Sequence, residues 1–166
     1  MTDLESVALY YSVNRALHRA RQAIERATSP GQRERAPLPD SAAERDLMAR
    51  FATAFEAGDV PGVVALLTGD AVLTMPPEPL EDQGPAAIAQ FLSTVPASGA
   101  LDRFRLIPVR ANGQPAFGCY LRNPHAPDAY AYGLMVLTLS STHVTAITGF
   151  ADTSVFRFFG LPPTLR

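Results

Sequence analysis

The sequence predicts an α+β domain in which helices come first and a curved, mostly antiparallel sheet follows. Three observations carry that expectation. The stretch Tyr130–Asp152 reads as two apolar, β-branched strands, Ala131–Ser140 and His143–Ala151, around the polar turn Ser140–His143, and neither run contains proline. Upstream, Asn112-Gly113 parts Phe104–Arg110 from Gln114–Arg122 and is the strongest turn signal in the chain, favouring a type I′ hairpin. Before residue 95 the apolar residues instead recur at helical spacing, with caps and first-turn prolines.

In chain order, residues 4–27 read as an amphipathic helix, with Val7, Tyr10 or Tyr11, Asn14, Leu17 and Ile24 near one stripe and Arg15, His18, Arg19, Arg21 and Arg26 around the rest. Two readings stand for it: a solvated helix packed on a neighbour, or a nucleic-acid-facing helix. Residues 28–40 have linker composition, with three prolines and alternating charge. A pocket domain over 41–166 follows. Asp40 or Ser41 caps its first helix, with Glu44 set for a capping box and Leu47, Met48, Phe51, Ala54 and Phe55 on the apolar face. Gly58 ends that helix. A short helix over Val60–Leu67, a strand over Ala71–Met75, a loop over Glu78–Gly84 and a helix over Pro85–Thr94 come next.

In the hairpin after Phe104, the turn pairs Phe104, Leu106 and Pro108 with Leu121, Cys119 and Phe117 on one face. Arg105 then lies opposite Tyr120 on the other. A two-residue turn in the last hairpin sets Met135, Leu137 and Leu139 beside Val144, Ala146 and Thr148. The other face then holds Tyr132, Leu134 and Val136 beside Thr145, Ile147 and Gly149. Neither face is polar, so the sheet is expected to be covered on both sides, the second by a homodimer partner. Val155–Leu161 is expected to close one end of the domain.

Composition narrows the function classes. The chain has 166 residues, 47% of them hydrophobic, and a formal net charge of −2, which offers no global attraction to nucleic acid or anionic membrane. All fourteen basic residues are Arg, a bias of coding rather than of chemistry. One cysteine, Cys119, excludes an internal disulfide and fits a reducing, cytoplasmic setting. Asp3 and Glu5 stand where a secretory leader would be basic, and no apolar run approaches the roughly 20 residues of a membrane span. Metal-ligand spacing, a phosphate loop and a nucleophile elbow are all lacking, so no cofactor is implied.

Segments of the chain resemble a known family. SVALYYSVNRALHRAR resembles the last helix of the helix-turn-helix in extracytoplasmic-function sigma factors. DAVLTMPPEP, GPAAIAQFL, VRANGQPAFGCYLRNP and FGLPPTLR, in that order, are similar to the SnoaL-like C-terminal domain of those proteins, over roughly residues 44–166. The resemblance implies the cone-shaped fold shared by ketosteroid isomerase, nuclear transport factor 2 and SnoaL-like polyketide cyclases. The preceding helix of the DNA-binding motif and a polymerase-binding domain are missing, so no specific DNA binding is expected of this chain alone. The chain is then a fragment, or a shortened relative that kept the pocket domain; Met1 and the decay of the basic helix favour the second.

By the same resemblance, a ketosteroid isomerase base would fall at Met75 and a cyclase or epoxide-hydrolase acid at Gly149, so both acid positions are empty. Where the sigma-associated domains carry an aromatic pair, this chain has Glu81 and Asp82. These two read either as a solvated acidic loop or as a general acid/base at the pocket mouth. Tyr132 is the candidate hydrogen-bond donor to a developing oxyanion. Leu73, Met75, Phe104, Tyr120, Leu134, Ile147 and Gly149 are the candidate ligand-binding residues. His125 and His143 read as surface residues, Asp152 as a cap and Cys119 as an inert buried thiol. Two functions follow: a stand-alone protein that binds and converts a hydrophobic metabolite without cofactor, or a non-enzymatic ligand-sensing regulatory domain.

Overall fold

The computed structural model describes residues 36–125 and 127–166, so the helix expected over 4–27 and the linker up to residue 35 lie outside the described residues. Helix α1 (Ala42–Glu56) starts at Ser41, whose Oγ accepts from the Glu44 N–H at 3.2 Å. The Glu44 side chain reaches back in turn, its Oε1 accepting from the Asp40 N–H at 3.0 Å. Leu47, Met48, Phe51 and Phe55 are the buried stripe of α1. The short helix α2 (Val60–Val64) is capped by Asp59, and α3 (Pro85–Thr94) buries Ile88, Phe91 and Leu92.

Among the described residues seven strands form one sheet: β1 (Leu67–Thr74), β2 (Glu81–Gln83), β3 (Phe104–Ala111), β4 (Gln114–Arg122), β5 (Ala129–Leu139), β6 (Val144–Phe150) and β7 (Thr164–Leu165). The order is β2-β1-β6-β5-β4-β3, with β7 on β5; every pair is antiparallel except β1–β6, which is parallel. Asn112 (φ 50°) and Gly113 (φ 78°) both adopt the left-handed conformation that a type I′ turn demands. The β3–β4 register is the expected one, with Phe104 opposite Leu121 and Arg105 opposite Tyr120.

Three expectations are corrected. The stretch 81–83 is a strand rather than loop: its backbone pairs with the edge of β1, Thr74 opposite Glu81 and Leu73 opposite Asp82. Short, charged edge strands of this kind end a sheet without inviting further pairing. The β5–β6 register also differs. Leu139 faces Val144 as expected, but Thr138 faces Ala146, so Thr145 is bulged out. One extra residue exchanges the two faces of β6. Ile147 and Gly149 therefore lie beside Leu137 and Met135 on the inner face, while Ala146 and Thr148 lie outside. Finally, the segment after β6 does not cap an end of the domain. The 3-10 helix Thr153–Phe159 lies over the outer face, where Phe156 meets Tyr120 edge-on at 5.3 Å and 73°.

The core sits between the inner face and the helices. Phe51 stacks on Phe117 (6.1 Å, 12°), and Phe55 meets Phe104 edge-on (5.6 Å, 78°). Burying each such ring stabilises the fold by about 1.5–3 kcal/mol. Arg110, near the tip of the β3–β4 hairpin, ties that hairpin to the start of α1. Its Nη1 donates to Glu44 Oε1 at 2.6 Å and its Nη2 to the Gly113 carbonyl at 2.7 Å. No helix among the described residues is long and apolar enough to cross a membrane.

Candidate functional site

Where the sheet curls away from α1 and α3, the inner face borders an apolar cavity of about 90 Å³. Its floor is the parallel β1–β6 seam, where Leu73 and Ile147 are direct partners and both are buried. Two residues further along each strand, on the same face, stand Met75 and Gly149. Phe55 from α1 and Phe91 and Leu92 from α3 close the cavity above, and Phe104, Cys119 and Met135 line it from the remaining strands. Leu134 and Phe150, opposite each other on β5 and β6, border its end. Val95, Tyr132 and Ala151 are the exposed members of the wall and mark the mouth.

Tyr132 reaches the cavity by a route the sequence does not announce. Between β4 and β5, Cys119 faces Gly133 and Tyr120 faces Ala131, which leaves Tyr132 as a second bulged residue. The bulge turns its ring inward, edge-on to Phe104 at 4.9 Å and 90°. The expected register placed Tyr132 there by a different alternation, one that the structure does not have.

Other candidates stand elsewhere. Tyr120 is wholly buried, but on the outer face, where its hydroxyl donates to the Pro162 carbonyl at 2.7 Å. It shares strand β4 with Cys119 and points the opposite way, so it cannot touch a ligand in the cavity. Burial raises its pKa above the ordinary 10.0. Glu81 is exposed and lies opposite Thr74, whose Oγ1 is 3.3 Å from Thr148 Oγ1 on the outer face. Asp82 is half-buried at the sheet edge, and neither carboxylate borders the cavity. Pairing into β2 sets Glu81 on the outer face with Thr74 and Asp82 on the face of Leu73, and neither is among the cavity-lining residues. Asp152 caps the following 3-10 helix, its Oδ1 accepting from the Ser154 N–H at 2.9 Å.

The wall that remains is chemically quiet. Cys119 and Tyr132 are its titratable members, and burial pushes the Cys119 thiol up to about 12, far from a reactive thiolate. Such a surface can exclude water and hold an apolar molecule by shape and dispersion. The lining residues include no carboxylate and no imidazole. Sequence reasoning overlooked Phe55, Phe91, Val95 and Met135 as wall residues. Phe55 and Phe91 were readable as apolar helix faces, but which stretch of each face meets the cavity depends on the curvature of the sheet.

Residues 48–136 match the SnoaL-like domain. Two curated relatives, both named ECF RNA polymerase sigma factor SigG, come from Mycobacterium tuberculosis strains CDC 1551 / Oshkosh and ATCC 25618 / H37Rv. Each is 36% identical over 156 residues, covering 93% of this chain and 41% of the relative. The chain therefore spans less than half the length of the curated relatives it matches. Among solved structures, a candidate ketosteroid isomerase from Kribbella flavida DSM 17836 superposes with a TM-score of 0.54 at 18% identity, over 70% of this chain and 82% of that one. An NTF-2 like protein of unknown function from Burkholderia xenovorans LB400 gives 0.52 at 16%, over 64% and 80%. TerC co-crystallized with polyporic acid gives 0.51 at 16%, over 71% and 98%. The expected cone-shaped α+β fold is the fold observed.

Proposed function

This chain belongs to the SnoaL-like domain family, and from that premise we propose that it binds a small apolar ligand without transforming it, as a regulatory domain of, or derived from, an extracytoplasmic-function sigma factor. The observation that carries the reading is the cavity wall: closed helices above, a parallel seam below, and no acid or base poised to move a proton. Cyclisation, isomerisation, dehydration or epoxide opening would each need a group that Met75 and Gly149 do not supply. The sequence similarity to the sigma factors supports the regulatory setting. A homodimer through the outer sheet face belongs to the same reading. Thr74, Val136, Ala146 and Thr148 stay half-buried there, beyond the reach of the Thr153–Phe159 cover.

Solvent extraction of the purified protein, followed by mass spectrometry, tests the first part. An extracted apolar compound that rebinds and is recovered unchanged after long incubation supports it. Recovery of a chemically altered product would overturn the non-enzymatic reading. Titration with benzene and with benzoate, followed by nuclear magnetic resonance, adds the control. Benzene is expected to shift Ile147 and Met135 signals, and preferential binding of the anion would overturn the assignment of an apolar site. Sedimentation showing a monomer at micromolar concentration would remove the dimer.

A further inference from the structure

We propose that Met75 sets the size limit of the ligand, its thioether acting as a movable stopper seated on Gly149. This inference rests on the cavity being a binding site, and it adds which ligands enter and which residue decides.

Register places the two residues together. Leu73 pairs with Ile147 and Thr74 with Thr148, so continuing β1 and β6 by one step brings Met75 to Gly149 on the inner face. The contact is close: a Cβ built on Gly149 would overlap Met75 Sδ and stand 3.3 Å from its Cε. The thioether therefore occupies the space that any side chain at residue 149 would fill. Backbone geometry does not require glycine there, because Gly149 is absent from the left-handed residues. What the position requires is room for Met75.

The two residues also stand at the right depth. Leu73 and Ile147 below them are buried, at 2% and 3% exposure, whereas Met75 is half-buried and Val95 and Tyr132 beyond are 53% and 38% exposed. Met75 is thus between floor and mouth. An unbranched thioether with three rotatable bonds changes rotamer readily and adapts to what it touches. Closed, the cavity measures about 90 Å³. An engineered core cavity of about 150 Å³ admits benzene. An occupant of one aromatic ring must therefore displace part of the stopper, and one of two fused rings must displace it altogether.

The test uses the full chain and two hydrocarbon probes, benzene and naphthalene, with affinities from nuclear magnetic resonance titration and folding checked by thermal unfolding. Wild type is expected to favour benzene. Met75→Ala removes the stopper at a half-buried position and is expected to raise naphthalene affinity relative to benzene by about tenfold or more, the difference one well-filled increment of apolar contact makes. Met75→Leu keeps the bulk and is expected to keep the wild-type ratio. Binding by Met75→Ala where wild type binds neither hydrocarbon would also support the stopper. If wild type binds benzene and Met75→Ala keeps the wild-type ratio, the stopper is refuted and the binding reading survives. A Leu variant that behaves as the Ala variant refutes it too. If no variant binds either hydrocarbon, the binding reading itself falls, and the stopper with it.

Discussion

Removing one oxygen from Tyr120 separates the two faces of the sheet experimentally. In Tyr120→Phe the ring keeps its edge contact with Phe156 and its full burial, while the Pro162 carbonyl loses a donor at 2.7 Å. Pro162 is exposed, so water can replace the lost hydroxyl, and the cost is that of one ordinary hydrogen bond, about 0.5–1.5 kcal/mol. For a domain of this size that is a fall in Tm of about 2–6 °C. Alkali gives a second readout. Burial raises the pKa of Tyr120 above 10.0, so its contribution to stability is complete below that pH. It is lost as the pH rises from there through the raised folded value, because the unfolded chain gives up the proton first. The variant should lack this loss, so the gap between wild type and Tyr120→Phe should narrow in alkali. Benzene affinity should not change, since Tyr120 faces away from the cavity. Equal melting temperatures with identical alkaline limbs would refute the hydrogen bond. Lost benzene binding in a folded variant would refute the assignment of Tyr120 to the outer face.

Two other expectations concern the Arg110–Glu44 ion pair and the cavity mouth. The Arg110 guanidinium beside Glu44 holds that carboxyl below its ordinary value of 4.5, so its contribution is complete above that pH and is lost as the pH falls through the lowered folded value. Glu44→Gln should therefore be less stable than wild type at neutral pH and converge with it in acid; parallel acid-unfolding curves would count against this. At the mouth, Tyr132→Ala should weaken benzene binding by a factor of about 2 to 13, the worth of an aromatic contact of about 0.5–1.5 kcal/mol, while Tyr132→Phe should stay near wild type. A large effect of the Phe variant would mean that the phenol hydroxyl, not the ring, holds the ligand.

Much of the architecture was legible because local chemistry dictated it. Asn112-Gly113 forces its hairpin, Ser41 and Glu44 mark a helix start, and Pro85 opens α3 just as the spacing predicts. The bulges at Thr145 and Tyr132 were not legible, since one extra residue in a β-branched run changes neither composition nor turn signals. Yet each one reverses the alternation beyond it. That is why Ile147 and Gly149 were paired with the wrong partners, although their membership of the wall was foreseen. Strand β2 was hidden for another reason: edge pairing is satisfied by backbone, and Glu81-Asp82-Gln83 has no strand propensity of its own. Tyr120 shows the converse. Its opposition to Arg105 was read from the turn, and that alone already placed it on the face away from Phe104.

The parallel seam has a kinetic meaning as well as a structural one. The two hairpins close over short stretches of chain, but the Thr74–Thr148 hydrogen bond spans 74 residues. Loop-closure entropy must be met before so distant a contact contributes anything, and parallel pairing of this kind forms slowly. The β3–β4–β5–β6 meander can therefore assemble before β1 docks, and the floor of the cavity appears only when it does. Substitutions at Leu73 or Ile147 should then act mainly on the unfolding rate, and those around Asn112-Gly113 on the folding rate. A ligand that touches both β1 and β6 would bind only after that seam has closed, and would therefore oppose its opening.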